Sequence, residues 1–173
     1  RDHAADELSH YSKGTTDIEF AFPWGWGELC AAAAYRTDFD LTQHAEFSGE
    51  NLQYTDPDDN KRKITPHVIE PSFGLDRTLL ALLLSSYSEE TAPTADGGED
   101  VRVVMKFPYK IAPVKIAILP LSKKDELTSI SLPLAQRLAK RWRVDHAATQ
   151  SIGKRYRRQD EVGTPFCVTV DFE

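Results

Sequence analysis

The order of apolar segments after Pro113 constrains the fold more than any other feature of this 173-residue sequence. Short apolar runs at Val114–Leu119, Val144–Ala148 and Phe166–Val170 have the composition of buried strands. Two helical segments separate them. Because parallel strands are joined by right-handed helical crossovers, this β-α-β-α-β order predicts a small α/β domain in which a parallel or mixed sheet forms the middle of three layers.

The two segments between these strands are predicted to be helices. In the first, apolar residues recur at helical spacing. The residues predicted to form its inner face are Leu127, Ile130, Leu134 and Leu138. The second helix is predicted from about Lys154 to Val162. The sequence stops at Glu173, directly after the last strand, and such a sheet normally needs a further covering helix, so we expect the polypeptide to continue.

The residues before Pro113 have a pattern typical of an antiparallel sheet with inserted helices. Strands are predicted at Asp17–Phe22, at Gly27–Tyr35 and at His67–Ser72. The alanines at 31–34 are equally compatible with a helix. This half of the chain is therefore predicted to be α+β.

Two helices are predicted among these strands. The first begins near Thr37, with Asp40 three residues on, and ends near Gly49. The second follows Gly74, because leucines then recur at helical spacing. These leucines are Leu79, Leu80, Leu83 and Leu84.

Charge and proline content predict a domain boundary near Pro113. From Lys106 onward the chain carries 13 Lys or Arg against 7 Asp or Glu, a net charge of +6, whereas the earlier residues carry 8 against 20, a net charge of −12. The stretch FPYKIAP has the prolines of a connector. The polar segment Thr91–Asp100 before it is predicted to be an exposed loop. We therefore predict domains at residues 1–112 and 113–173.

Composition excludes several classes of protein. No run approaches the roughly 20 apolar residues of a membrane helix, and no signal segment opens the chain, so we expect a soluble intracellular protein without membrane partners. Cys30 and Cys167 lack the paired spacing of zinc ligands, so we expect no zinc and no disulfide, only buried free thiols. Because the chain begins with Arg1 and its only methionine is Met105, we interpret it as a piece of a longer protein.

The run TPHVIEPSFGLDR holds the clearest candidates for chemistry. Glu70 and Ser72 lie two apart on a predicted strand and face the same side, where a carboxylate and a hydroxyl suit an ammonium group. Gly74 lets a ligand approach the backbone, and Arg77 in the next helical turn can reach a phosphate or stack on a base. The alternative is a structural ion pair of Glu70 with Arg77 or Lys63, which the residues alone leave open.

A second cluster of charged residues lies on the last predicted helix. Its basic members are Lys154, Arg155, Arg157 and Arg158, and Tyr156 lies among them. Such a cluster can hold an RNA backbone, or it can be a solvated helix face balanced by Asp160 and Glu161. Alternatively, Lys154 and Arg155 lie at a domain interface or reach phosphate groups of another ligand.

Two histidines and two tryptophans are assigned no chemistry. His44 and His67 have no spacing that demands a catalytic or metal-binding role. Trp24 and Trp26 are predicted to pack in the core and in a turn rather than to stack on a base.

The motif EPSFGLDR closely resembles the third signature motif of class II aminoacyl-tRNA synthetases in its glycine-specific form, which ends in Gly-x-x-Arg. Three other runs are similar to glycyl-tRNA synthetases and follow the order of that family. They are FPWGWGEL at 22–29, YRTDFDLTQH at 35–44 and SIGKRYRRQDEVGTPFCVTVDFE at 151–173. The resemblance implies part of an α+β class II catalytic core with an antiparallel sheet, followed by part of a three-layer α/β anticodon-binding domain. In YRTDFDLTQH we favour structural roles, with Thr37, Asp38 or Asp40 capping a helix and Arg36 pairing with them.

The resemblance also implies roles for individual residues. For glycine binding these are Glu70, which binds the amino group, Ser72 and Gly74. For contacts with ATP they are Glu28, Leu29, Gly74, Leu75, Asp76 and Arg77. Glu28 is in addition a candidate ligand of Mg²⁺, with a hydrogen-bonded acid at a strand end as the alternative. For contacts with tRNA they are Lys154, Arg155, Arg157 and Arg158. No catalytic side chain is assigned.

The activity implied by the resemblance is glycine–tRNA ligation: glycine and ATP–Mg²⁺ give glycyl-adenylate, and the glycyl group passes to tRNA(Gly). A cytoplasmic homodimer is expected, and a mitochondrial location is compatible with the sequence. The first two class II motifs have no counterpart here and are expected to precede Arg1, so the isolated chain is expected to be inactive. The rivals are a non-catalytic, synthetase-derived nucleic-acid-binding accessory subunit and an enzyme of the same superfamily that activates threonine, proline or histidine.

Overall fold

The structure, a computed structural model, describes residues 1–59, 62–93 and 97–172. It divides into two compact units, Arg1–Leu82 and Leu83–Glu173. The segment between Leu83 and the predicted boundary near Pro113 thus belongs to the second compact unit. A division by compactness does not test where the two predicted domains begin and end. The domains at residues 1–112 and 113–173 therefore stay a prediction.

The first unit is built on an antiparallel sheet, as predicted. In chain order its elements are β1 (Gly14–Phe22), β2 (Gly25–Thr37), α1 (Phe39–Ser48), β3 (Tyr54–Thr55), β4 (Lys63–Ile64), β5 (Val68–Phe73) and α2 (Leu75–Ser86), the last of which runs past Leu82. The strand order is β1-β2-β5, and both pairs are antiparallel. The alanines at 31–34 lie in the central strand β2, because pairing on both edges outweighs the helical preference of alanine.

Helix α1 begins later than the sequence predicts. Thr37 ends β2 with a φ of 57°, and the helix begins at Phe39, with Asp38 at its N-cap and no capping bond from that side chain. Gly49 ends the helix as predicted. Its φ of 74° is a left-handed conformation that suits glycine, and its amide donates to the Ala45 carbonyl.

The second unit begins with a β-hairpin where the sequence predicts a loop. Strands β6 (Tyr87–Pro93) and β7 (Glu99–Met105) pair antiparallel, with Thr91 opposite Val101 and Pro93 opposite Glu99. The predicted loop at Thr91–Asp100 is therefore wrong at both of its ends, and residues 94–96 lie outside the described residues. Each strand satisfies the backbone hydrogen bonds of the other, so both strands form although their polar composition is typical of a loop.

The remaining elements form a parallel sheet, the first of the two predicted alternatives, with a helix on each face. They are β8 (Ile116–Pro120), α3 (Asp125–Ala139), β9 (Val144–His146), α4 (Ile152–Val162) and β10 (Phe166–Val170). The strand order is β10-β8-β9, and both pairs are parallel. Ala117 and Leu119 pack with Ile152 and Tyr156 of α4 on one face. On the other face, where Ile118 lies opposite His146, the Ser131 hydroxyl of α3 hydrogen-bonds His146.

The inner face of α3 differs at one position from the prediction. Leu127, Ser131 and Ala135 are buried, whereas Ile130 is 60% exposed. Leu134 and Leu138, which were also predicted on this face, are half-buried. Leu127, Ser131 and Ala135 are spaced four residues apart, so they form one stripe along the helix. Ile130 is rotated by about 60° from Leu127, in the direction away from this stripe, and therefore faces outward.

Candidate functional site

A cavity of about 490 Å³ opens where β2 and the junction of β5 with α2 meet. Strand pairing creates it, since Cys30 lies opposite Phe73 and Ala31 opposite Ser72. The residues that line it are Glu28, Leu29, Cys30, Ser72, Phe73, Gly74, Leu75, Asp76 and Arg77. These include every residue for which the family resemblance implies contact with ATP.

Arg77 is held at this cavity by the backbone of β2. Its Nη1 atom donates to the Glu28 carbonyl at 2.8 Å, and the same nitrogen is 4.0 Å from the Glu28 carboxylate. Both side chains are exposed, so the guanidinium keeps donors free for an anion.

Gly74 separates the end of β5 from the start of α2. A Cβ atom at Gly74 would lie 3.3 Å from the Leu29 carbonyl oxygen, so this position has little room for a side chain. A glycine here lets the β5–α2 turn lie close against β2, which places Arg77 in the first turn of α2 beside Glu28.

Glu70 lies apart from the cavity lining and pairs with a residue that the sequence does not indicate. The Arg36 Nη1 atom donates to the Glu70 carboxylate at 2.8 Å. The alternative prediction, an ion pair of Glu70 with Arg77 or Lys63, was wrong, because Glu70 pairs with Arg36 instead. Arg36 is 34 residues away from Glu70, and only the pairing of β2 with β5 brings the two side chains together.

Arg36 also binds Asp40, as the sequence predicts. Its Nε and Nη2 atoms donate to the two Asp40 carboxylate oxygens at 2.6 and 2.8 Å. These hydrogen bonds, which Arg36 donates and Asp40 accepts, hold the pKa of Asp40 below its usual value and raise the pKa of Arg36. The Arg36 guanidinium further stacks over the Tyr11 ring, 4.1 Å from its centroid.

The metal-ligating side chains near the cavity are few. Within residues 1–59, 62–93 and 97–172 no group of three or more His, Cys, Asp or Glu is arranged to hold a metal ion. The carboxylates that line the cavity are Glu28 and Asp76. Oxygen donors of this kind suit Mg²⁺ that takes its other ligands from water and substrate phosphates.

Arg155 of α4 is buried, with 1% of its surface exposed. Its Nη1 atom donates to the carbonyls of Pro120 and Ala147 at 2.6 and 2.7 Å, and its Nη2 atom donates to the Leu121 carbonyl at 3.1 Å. A guanidinium enclosed in this way cannot reach a nucleic acid. The prediction that Arg155 contacts tRNA is therefore wrong for this conformation.

The other basic residues of α4 are exposed, but they differ in their partners. Arg157 donates to the Asp100 carboxylate at 2.6 Å and ion-pairs with Glu161, and its hydrogen bond to Asp100 raises its pKa. Lys154 and Arg158 are exposed, and neither forms an ion pair within the described part of the chain. These two are therefore the basic side chains of α4 that are most available to a polyanion.

The two tryptophans are more exposed than the sequence predicts. Trp24 is 70% exposed in the turn after β1, and Trp26 is 75% exposed in β2. Trp24 stacks on Phe22 with ring centroids 5.1 Å apart. Packing of these rings in the core of this unit was therefore a wrong prediction, although the turn position of Trp24 is confirmed.

The free thiols agree in part with the prediction. Cys30 is buried, whereas Cys167 is half-buried and burial raises the pKa of its thiol. Through the described residues, no helix has the length and apolar content needed to cross a membrane.

Comparisons with a family model and with individual proteins give matches that agree with one another. Residues 115–173 match the anticodon binding domain family. The whole chain is 53% identical to a glycine–tRNA ligase of Corynebacterium glutamicum over 175 residues, covering 99% of this chain and 38% of that protein. Over 173 residues and 100% of the chain it is 53% identical to the glycine–tRNA ligase of Staphylococcus epidermidis and 54% identical to that of Staphylococcus aureus, covering 36% of each. The chain thus spans less than two fifths of these curated relatives. The resemblance to glycyl-tRNA synthetases is confirmed along the entire chain, and residues 115–173 are similar to anticodon binding domains.

Proposed function

We propose that this chain is part of a glycine–tRNA ligase, in which it supplies the carboxy-terminal part of the class II catalytic core and the start of the anticodon-binding domain. The proposal is carried by one observation: Ser72, Gly74 and Arg77 line the same cavity as Glu28 and Leu29. The similarity to glycine–tRNA ligases over the whole chain supports the choice of reaction.

In this proposal Arg77 holds phosphate oxygens of ATP. Its guanidinium is exposed, and its bond to the Glu28 carbonyl fixes its direction. Formation of glycyl-adenylate joins the glycine carboxylate to the α-phosphate of ATP, so two anions must be brought together. A fixed cation at this point lowers the repulsion between them.

Glycine is held mainly through its charged groups, because it has no side chain to grip. We infer that Glu70 accepts from the ammonium group and that Ser72 and Gly74, which follow it along the chain and line the cavity, contact the rest of glycine. A confined pocket excludes amino acids with a β-carbon. No side chain acts as a nucleophile in this scheme, and catalysis depends on orientation and charge neutralisation.

Mg²⁺ would be held by Glu28, and Asp76 lies on the same cavity. When bound with ATP it would neutralise charge on the phosphates. Because the described residues offer no complete set of protein ligands, ATP and water supply most of the coordination in this proposal. No zinc is proposed.

The second unit is proposed to bind tRNA(Gly) through the anticodon. The match of residues 115–173 to anticodon binding domains supports this assignment, and Lys154 and Arg158 are the exposed cations of α4 that suit a phosphate backbone. The complete ligase is proposed to be a cytoplasmic homodimer.

The main rival is a synthetase-derived accessory subunit that binds nucleic acid without catalysis. The arrangement of Arg77 and Glu28 at the cavity favours the ligase, because a subunit without catalysis has no need of a fixed cation there. Enzymes that activate threonine, proline or histidine share the Gly-x-x-Arg ending but not the EPSF context.

The test is isothermal titration of the full-length ligase with a non-hydrolysable glycyl-adenylate analogue. Tight binding is expected for the wild type, and it should be lost in both Glu70→Ala and Arg77→Ala. Lys63→Ala, which changes an exposed charge in β4 outside the cavity, serves as the matched control and should bind normally. A folded wild-type protein that does not bind the analogue would overturn the ligase assignment and favour the accessory subunit.

A further inference from the structure

Arg36 has an unusually complete set of contacts for a half-buried side chain. Two of its nitrogens are bound to the two oxygens of Asp40, and its planar face lies over Tyr11. A bidentate carboxylate fixes both the position and the plane of a guanidinium. Stacking on the aromatic ring further limits movement of the guanidinium perpendicular to that plane. Nη1 is the remaining terminal nitrogen, and it donates to Glu70.

Glu70 is held by one carboxylate oxygen only. Arg36 donates to Oε2, and nothing within residues 1–59, 62–93 and 97–172 donates to Oε1. The Glu70 side chain is 49% exposed, so Oε1 is accessible to a ligand. A carboxylate tethered through one oxygen keeps a defined orientation while the other oxygen can accept from a cation.

The charges of the cluster matter as much as its geometry. An arginine alone beside Glu70 would cancel the negative charge that attracts an ammonium group. Asp40 is bound to the same guanidinium, and the two carboxylates with one guanidinium carry a net charge of −1. Asp40 thus balances Arg36, and the negative charge of Glu70 remains available at the exposed side of the cluster.

We propose that Arg36, locked by Asp40 and Tyr11, is a positioning residue that presents the free oxygen of Glu70 to the ammonium group of the amino acid substrate. The inference rests on the proposed function, since it takes Glu70 as the ammonium-binding residue. It assigns Arg36 and Asp40 a role beyond the local helix-start pairing that their sequence spacing indicates. Neither side chain needs to touch the substrate to perform it.

The test is glycine-dependent exchange of pyrophosphate into ATP by the full-length ligase, with KM measured separately for glycine and for ATP. Arg36→Gln removes the tether and should raise the KM for glycine about tenfold, the effect of losing one charge-assisted bond, while the KM for ATP stays unchanged. Arg36→Lys should not restore the wild-type value, because a single ammonium cannot grip Asp40 at two points and also reach Glu70.

Asp40→Asn tests the charge argument by an independent variant. It keeps a side chain of the same shape but removes the charge that balances Arg36, so the KM for glycine should again rise and the KM for ATP should not. In a Glu70→Gln background neither substitution should alter the KM for glycine further, because the residue that they position is gone.

Arg102→Gln is the matched control, because Arg102 also bridges two acids, Glu90 and Asp160, but in the second unit. It should change neither KM. The inference is overturned if folded Arg36→Gln and Asp40→Asn keep the wild-type KM for glycine, or if both substrates are affected equally. Absence of glycine-dependent exchange in the wild type would instead defeat the proposed function, so the two failures are distinguishable.

Discussion

At the scale of single residues, Arg155 joins the carboxyl ends of two neighbouring strands. Its guanidinium donates to the carbonyl of Pro120, the last residue of β8, and to those of Leu121 and Ala147, which directly follow β8 and β9. Within the described residues these carbonyls have no other side-chain donor. Its Nε atom is buried without a partner, so the site carries a desolvation cost even in the native protein. The three carbonyl contacts offset this cost.

Replacement of Arg155 by alanine should therefore destabilise the second unit. The change leaves the carbonyls of Pro120 and Ala147 unsatisfied and opens a cavity, so we expect a loss of about 3 kcal/mol. Native-state hydrogen exchange of the β8 amides measures the local opening free energy. Arg158→Ala, an exposed neighbour on the same helix, should change it by less than about 0.5 kcal/mol. Equal protection in both variants would contradict the role given to Arg155.

Glu90 in the hairpin provides a pH-dependent prediction. The hydrogen bond from Lys106, with a second from Arg102, holds the pKa of Glu90 below its usual value. A carboxyl group with a lowered folded pKa contributes stability above its unfolded value of about 4.3, and that contribution is lost as the pH falls through the folded pKa.

Titration of the Glu90 carboxyl carbon by NMR should show this directly. The pKa in the wild type should be below the usual value, and Lys106→Gln should move it upward because the largest stabilising contact is removed. Lys110→Gln, which removes an exposed charge without contact to Glu90, should leave the pKa in place. A wild-type Glu90 that titrates at the usual value would show that the ion pair does not persist in solution.

The sequence predicts some contacts of single residues and misses others for a physical reason. The pairing of Arg36 with Asp40 is visible because the two residues lie four apart at a helix start. The bond from Arg36 to Glu70 and the burial of Arg155 depend on strand pairing and sheet order, which bring together residues 34 and 35 positions apart. No local pattern encodes such contacts.

At the scale of elements, two helices end at glycines of similar backbone conformation but different surroundings. Gly49 after α1 has a φ of 74° and Gly163 after α4 a φ of 76°. A Cβ atom at Gly49 would meet nothing within 4 Å, whereas at Gly163 it would lie 2.5 Å from Phe107 Cδ2 and 2.6 Å from the Met105 carbonyl oxygen. The pair separates the cost of the left-handed conformation from the cost of crowding.

Alanine at Gly49 should cost only the strain of the left-handed conformation, about 1 kcal/mol. Alanine at Gly163 adds a backbone clash and should cost about 3 kcal/mol or more, because the segment after β7 must move away from the end of α4. Hydrogen exchange within each unit reports the two losses separately. Similar losses for the two variants would show that the segment after β7 yields without strain.

The parallel strands and both helices of the second unit are predictable because their apolar periodicity is local. Phe166–Val170 was predicted with the bounds that the structure gives. The hairpin β6–β7 was missed at its ends because Gly, Pro and acidic residues disfavour strands, while a partner strand in register outweighs that preference. Elements set by their own sequence are thus predictable, and elements set by a partner are less so.

At the scale of the whole molecule, charge is divided unequally along the chain. The residues from Lys106 onward carry a net charge of +6, and the preceding residues carry −12. A polyanion such as tRNA is attracted to the positively charged residues from Lys106 onward and repelled by the negatively charged residues before them. The burial of Arg155 and the pairing of Arg157 leave Lys154 and Arg158 as the available cations of α4.

If the second unit binds tRNA(Gly) as proposed, the double variant Lys154→Gln/Arg158→Gln of the full-length protein should bind it about tenfold more weakly near 0.1 M salt, because two phosphate contacts are lost. The binding constant should also depend less steeply on salt concentration. Glycine-dependent pyrophosphate exchange without tRNA should not change. The charge-matched control is Lys140→Gln/Arg141→Gln, which alters exposed residues after α3, at the opposite end of the parallel sheet from the start of α4. If both double variants weaken binding equally, the attraction comes from the net charge of the residues from Lys106 onward and not from α4 in particular.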